Sequence, residues 1–163
     1  MIRVGAFSEI LDISSRKSIL LVIVAKAVKA RYPEIIICGT AGPFHAPSAD
    51  YAEGWEFAHA NKDVFDLIDE HYYESSGWFL NHRDYYDSYD RQGPKVYLGE
   101  YAAKDRKLVD ALAEGLYLLG CERNGDVVAM TSYAPLFAKK GHLSWNPDLI
   151  YFDNLRPYLT CSY

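Results

Sequence analysis

From residue 18 onward, stretches with apolar residues at helical spacing alternate with short unbroken apolar runs. Residues 18–32 read as a helix stopped at Pro33, because proline disfavours helical geometry in the residue before it. The β-branched run EIIICGTAGP, 34–43, is closed by Gly39, Gly42 and Pro43, the mark of a strand and a loop. Residues 48–63 open on a Ser48 or Asp50 cap and carry Tyr51, Trp55 and Ala58 at helical spacing. VFDLIDEHYY, 64–73, is a second strand. SSGWFLNHRDYYDSYDRQGP reads as a loop and a helix before a third strand, KVYLGEYA, 95–102. KLVDALAEGLYLLGCERNG is a helix with Leu108, Leu112, Leu116 and Leu119 on one face, ending near Asn124-Gly125. DVVAMTSYAPL is the fourth strand, and WNPDLIYFDN adds an extended piece.

Helix and strand thus alternate four times. Strands apolar on both faces that alternate with helices indicate an α/β fold with a parallel sheet covered by helices. Four βα units are too few to close a (β/α)8 TIM barrel, which takes ~250 residues. The pattern fits a small open α/β domain or half a barrel, and periodicity alone does not choose between them.

Composition narrows the partners. The chain has 163 residues, half of them apolar, as in one soluble globular domain. A net charge of -5, with no run of Lys or Arg, argues against a nucleic-acid or anionic-membrane surface. Three widely spaced cysteines make neither a disulfide framework nor a metal knuckle, so Cys38 and Cys121 read as buried small hydrophobes. RKSILLVIVAKAVKA imitates a secretory signal, but Glu9 and Asp12 precede it and its apolar run is too short for a membrane span. Fourteen Tyr and three Trp supply flat faces with polar tips, which suit sugar binding as well as packing.

In a parallel α/β architecture, chemistry gathers at the carboxyl ends of strands. The second strand ends Asp69-Glu70-His71-Tyr72-Tyr73 and the third Gly99-Glu100-Tyr101. Alternation places Val96, Leu98 and Glu100 on one face and Asp69, His71 and Tyr73 on one face of the neighbouring strand, with Glu70 pointing away. A carboxylate there, flanked by a histidine and tyrosines, suits a nucleophile or base toward a polyhydroxylated substrate. Asp69, His71 and Glu100 also have metal-ligating chemistry, but one histidine without a second nearby is a poor set. His45, in a loop, His59 and His82, on predicted helices, and His142, beside a Lys pair, read as solvated or structural. P-loop, dinucleotide, His-Glu-x-x-His and Gly-x-Ser-x-Gly motifs do not occur.

KARYPEIIICGTAGP, FDLIDEHYY, YDRQGPKVYLGEYAA, ERNGDVVAMTSYAPLF and WNPDLIYFDN resemble, in that order, the later barrel strands of the α-L-arabinofuranosidases of glycoside hydrolase family 51. The resemblance covers about residues 25–156. It implies a retaining hydrolase on a (β/α)8 barrel with an attached β-sandwich, and removal of terminal arabinofuranosyl groups from arabinan and arabinoxylan. No cofactor is implied. By resemblance, Glu100 takes the place of the nucleophile at the end of the seventh barrel strand. His71 and Tyr73 take those of the sixth-strand residues that border the sugar and hold the nucleophile. Trp145 falls where the family has an aromatic after the eighth strand.

The departures from the family carry equal weight. Its acid/base is a glutamate in an Asn-Glu step on the fourth strand, and no Asn-Glu step occurs in this sequence. Glu9 lacks the preceding Asn and does not take the role. Residues 1–24 form a divergent amino-terminal segment and 157–163 a divergent tail, around a 25–156 stretch expected to supply strands five to eight. On this reading the chain is a fragment of a longer enzyme, weakly active or inactive alone, and prone to self-association through exposed sheet edges. The alternative is a non-catalytic remnant that binds sugar through Trp78, Tyr85, Tyr86 and Tyr89 or pairs with a separately encoded first half.

Overall fold

The computed structural model describes residues 15–44 and 47–163, so Glu9 and His45 lie outside the described residues. Helix α1, Ser15–Arg31, leads into β1, Cys38–Thr40, and α2, Ala49–Ala60, into β2, Leu67–Glu74. Helix α3, Ser76–Asn81, and a 3-10 turn, Tyr85–Ser88, precede β3, Lys95–Ala103. Helix α4, Leu108–Arg123, leads into β4, Val128–Tyr133, and three short strands follow: β5, Phe137–Lys139, β6, Ile150–Phe152, and β7, Pro157–Leu159. Strands β1 to β4 form one sheet in chain order. β1 runs parallel to β2 with Cys38 opposite Leu67. The Lys95 N–H donates to the Asp66 carbonyl and the Lys104 N–H to the Glu74 carbonyl, so β2 and β3 also run the same way. The expected α/β alternation with a parallel sheet is therefore present.

The chain packs as two compact units, Met1–Glu70 with Asp90–Tyr97, and His71–Tyr89 with Leu98–Tyr163. In the first, Ala25 of α1, Ala58 of α2, Ile37, Val64, Phe65 and Ile68 form a buried cluster. Ser48, rather than Asp50, caps α2, its side chain accepting the Tyr51 N–H. The strand expected at the start of 34–43 is three residues, Cys38–Thr40, because the apolar run before it bonds elsewhere. Ile37 donates its N–H to the Asp66 carboxylate at 2.8 Å, and Lys29 holds the other oxygen at 2.7 Å. Ile37 of that run is buried in the cluster and Ile35 packs against it, Ile36 is exposed, and the ladder begins only at Cys38. Cys38, next to buried Ile37, is exposed, which corrects its reading as a core residue; Cys121 is buried.

In the second unit, aromatic rings fill the core. Tyr72, Phe79, Tyr86 and Tyr117 are all buried, and Tyr117 meets the Phe79 ring edge-on with centroids 5.2 Å apart. WNPDLIYFDN does not extend the main sheet: its strand β6 lies in a second sheet, parallel to β5 and antiparallel to β7. Asp153 makes the β6–β7 turn by accepting the N–H groups of Leu155 and Arg156 and the Tyr158 hydroxyl. Residues 157–159 are thus part of a sheet.

Helix α4 turns Asp110, Ala113, Glu114, Tyr117, Gly120 and Cys121 inward and leaves its leucine stripe outside. Two carboxylates on a buried face need partners. Asp110 accepts the Lys107 N–H at 2.9 Å, and Glu114 the Ala103 N–H at 2.6 Å. Burial pushes the Glu114 carboxyl above its ordinary range, against hydrogen bonds from Ser162 and Ala103 that pull it down. A raised carboxyl favours the protonated folded state. Stability from this group is therefore fully present below the unfolded value of 4.5 and is lost as pH rises through the folded one. Glu114→Gln keeps the acceptor for Ala103 without the charge. The difference in melting temperature between variant and wild type is expected to shift in the variant's favour between about pH 4 and about pH 8. A difference independent of pH would show that Glu114 is not held as a neutral acid.

Candidate active site

Strands β2 and β3 deliver their carboxyl-end side chains to one place in the second unit. The Tyr73 hydroxyl donates to Glu100 Oε2 at 2.9 Å, and His71 Nδ1 lies 3.5 Å from the same oxygen. The shared face expected from alternation is thus the observed one. Both partners fall on Oε2, and among the described residues no hydrogen bond reaches Oε1. The Glu100 side chain is 41 % exposed, whereas His71 is 11 % exposed. One carboxylate oxygen is anchored and the other is open, on a group solvent can reach.

Burial, then the hydrogen bond to Glu100 and the charge of that carboxylate, push the Tyr73 phenol well above its ordinary value. The phenol stays protonated across the working pH range and remains a donor to Oε2. Trp145, in the loop between β5 and β6, stands edge-on to Tyr73 with centroids 5.5 Å apart. It keeps 53 % of its surface exposed, as a wall of an open site would. The four residues singled out in the sequence, Glu100, His71, Tyr73 and Trp145, therefore converge. Glu70 lies elsewhere: it is buried and accepts the Trp55 indole N–H at 2.7 Å.

Asp148, three residues after Trp145 in WNPDLIYFDN, is given no role by the sequence. It is buried, its Oδ2 has no hydrogen-bond partner among the described residues, and its charge helps to raise Tyr73. Burial raises its own carboxyl, while a hydrogen bond from Tyr151 and the Arg106 charge oppose that. Arg106, in the left-handed region at φ 58°, donates to the Tyr151 hydroxyl at 2.7 Å. The rings of the aromatic cluster Trp78, Tyr85, Tyr86 and Tyr89 pack on one another. Trp78 is stacked by His82 at 4.1 Å, and Tyr86 is buried against Tyr85 and Tyr89. His82, just beyond α3, also brings Nδ1 to within 2.7 Å of the Trp78 carbonyl.

Known proteins resemble the chain in sequence and in fold. Residues 86–163 match the family model for the α-L-arabinofuranosidase C-terminal domain, so the match takes in strand β3 with Glu100 and runs through the tail. The chain is 41% identical over 138 residues to an extracellular exo-α-L-arabinofuranosidase of Streptomyces chartreusis, covering 84% of this chain and 16% of that protein. It is 35% identical over 146 residues to α-L-arabinofuranosidase 1 of Arabidopsis thaliana, covering 84% of this chain and 19% of the relative. The chain thus spans less than a fifth of the length of these relatives. Its fold superposes on an arabinose-bound α-L-arabinofuranosidase, MgGH51, with a TM-score of 0.72 and 25% identity, covering 87% of this chain and 23% of that one. An arabinose complex of the Thermotoga maritima enzyme gives a TM-score of 0.66 over 90% of this chain and 33% of that chain, at 16% identity, a likeness of fold. Its sequence motifs, its matched domain and its fold all support similarity to a C-terminal fragment of an α-L-arabinofuranosidase.

Proposed function

We propose that residues 25–156 supply strands five to eight of a (β/α)8 glycosidase barrel and carry the nucleophile half of a retaining α-L-arabinofuranosidase site. Glu100 Oε1 attacks the anomeric carbon of a terminal arabinofuranosyl group, and Tyr73 and His71 hold Oε2 so that the attacking oxygen is aimed. Trp145 walls the sugar. The observation that carries this is the one-sided anchoring of Glu100, with Tyr73 and His71 both on Oε2 and no hydrogen bond to Oε1 among the described residues. The arabinose in the two related structures favours an arabinofuranosyl ligand, drawn from arabinan or arabinoxylan.

Retaining hydrolysis needs a second carboxyl ~5 Å from the first to protonate the leaving oxygen. No Asn-Glu step is present to supply it. Steady-state turnover of an ordinary aryl arabinofuranoside by the purified chain is therefore expected to be slight or nil. Brisk turnover abolished by Glu100→Ala would mean that a carboxyl within this chain serves as acid. Binding tests the sugar site itself. Methyl α-L-arabinofuranoside is expected to change tryptophan emission saturably in the wild type and much less in Trp145→Phe. A wild type whose emission does not respond would remove the sugar-site reading.

A further inference from the structure

Asp148 is 3 % exposed, and its Oδ2 has no hydrogen-bond partner among the described residues. A buried carboxyl oxygen left without a partner is rare, because its desolvation goes uncompensated. Its neighbours belong to the Glu100 site. Trp145, three residues earlier, stands against the Tyr73 ring at 5.5 Å, and the Asp148 charge acts on the Tyr73 phenol that donates to Glu100. The same carboxyl is tied to a second element. Arg106 donates to the Tyr151 hydroxyl at 2.7 Å; a guanidinium can only donate, so the Tyr151 proton is left for its hydrogen bond to Asp148. Arg106 itself sits at φ 58°, a left-handed backbone that a residue with a Cβ keeps only where its surroundings hold it.

We propose that Asp148 Oδ2 accepts a hydroxyl of the sugar bound at Glu100, and that Arg106 and Tyr151 are positioning residues that act through Asp148. This rests on the reading of Glu100 as part of an arabinofuranosyl site. A terminal arabinofuranosyl group carries hydroxyls on C2, C3 and C5, each able to donate to a carboxylate. Asp148 must be ionised to accept one. Burial works against the charged form, and the Tyr151 hydrogen bond and the Arg106 charge work for it. The relay thus gives the carboxyl one fixed donor, favours its charge and leaves Oδ2 as the open acceptor. A water on Oδ2 would satisfy the oxygen equally but would make no distinction among sugars.

Crossing variants with ligands tests it, with tryptophan emission read on methyl α-L-arabinofuranoside and on its 2-, 3- and 5-deoxy analogues. Asp148→Ala is expected to weaken the parent glycoside about tenfold to a hundredfold, the loss of a hydrogen bond to a charged group. One analogue, lacking the hydroxyl that meets Oδ2, is expected to bind wild type and Asp148→Ala alike within about twofold. Tyr151→Phe and Arg106→Met are each expected to weaken the parent about threefold to tenfold and to spare that same analogue. A merely structural role would weaken all four ligands together. Circular dichroism shows whether each variant is folded, and Asp148→Asn, which keeps the shape without the charge, serves in the same comparison if the alanine variant is not. A wild type that binds, with all three analogues as sensitive to the Asp148 change as the parent, would overturn the proposal and leave the sugar site standing. A wild type that binds no glycoside would overturn both.

Discussion

Mixed with 2,4-dinitrophenyl α-L-arabinofuranoside, the wild-type chain is expected to release one equivalent of dinitrophenolate and to gain the mass of one anhydroarabinosyl unit. Glu100→Gln is expected to do neither. The dinitrophenolate departs with its bonding electrons without needing a proton, so the first step asks only for the nucleophile. Oε1 forms a bond to the anomeric carbon as the bond to the leaving oxygen breaks. The second step needs a base to activate water, and without one the ester on Glu100 persists long enough to be weighed. Tyr73→Phe removes a hydrogen bond to the charged carboxylate, a loss of about 1.5–3 kcal/mol, and should slow capture roughly tenfold to a hundredfold. Peptide mapping is the check. An adduct on any residue other than Glu100, or equal labelling of Glu100→Gln, would show that the open oxygen is not the nucleophile.

The geometry of the candidate site was legible because it is written in the period of two strands. Glu100, His71 and Tyr73 follow from alternation along β2 and β3, and the contacts at 2.9 and 3.5 Å fall where that period puts them. Trp145 came only from the family resemblance, because a loop has no period from which to place a side chain. Asp148 was invisible for the same reason, and the Arg106–Tyr151 bond, spanning 45 residues, has no local signature. The fold was legible in its alternation and less so in its faces. On α4 the leucines look like the core side, yet the buried side carries Asp110 and Glu114. Hydropathy ranks those carboxylates as surface groups and cannot see that backbone N–H donors await them. The run before β1 misled in the opposite sense, since Ile35 and Ile37 pack in a cluster and do not join the ladder.

Gly120→Ala is expected to cost about 3 kcal/mol of stability or to prevent folding, although it sits in the interior of a helix, where alanine is the better residue. By propensity alone the change should help by about 1 kcal/mol. Space decides otherwise. A Cβ at 120 would run into the carbonyl of Arg83, with the Arg83 Cα also nearby, so the obstruction is backbone and has no rotamer to adopt. Nor can the helix shift freely. Arg123 and Asn124 at its end both bond Asp87, at 2.6 and 2.7 Å, and the Asn124 amide also returns to the Gly120 carbonyl at 3.0 Å. The Tyr117 ring, one turn earlier, is wedged against Phe79, Tyr72 and Tyr86. Gly115→Ala supplies the control, because it makes the same chemical change in the same helix where a Cβ meets nothing. Urea unfolding should show Gly115→Ala more stable than wild type by up to about 1 kcal/mol and Gly120→Ala far less stable. Equal effects at the two positions would mean that α4 does not lie against the Arg83 backbone, and the packing of the second unit would have to be redrawn.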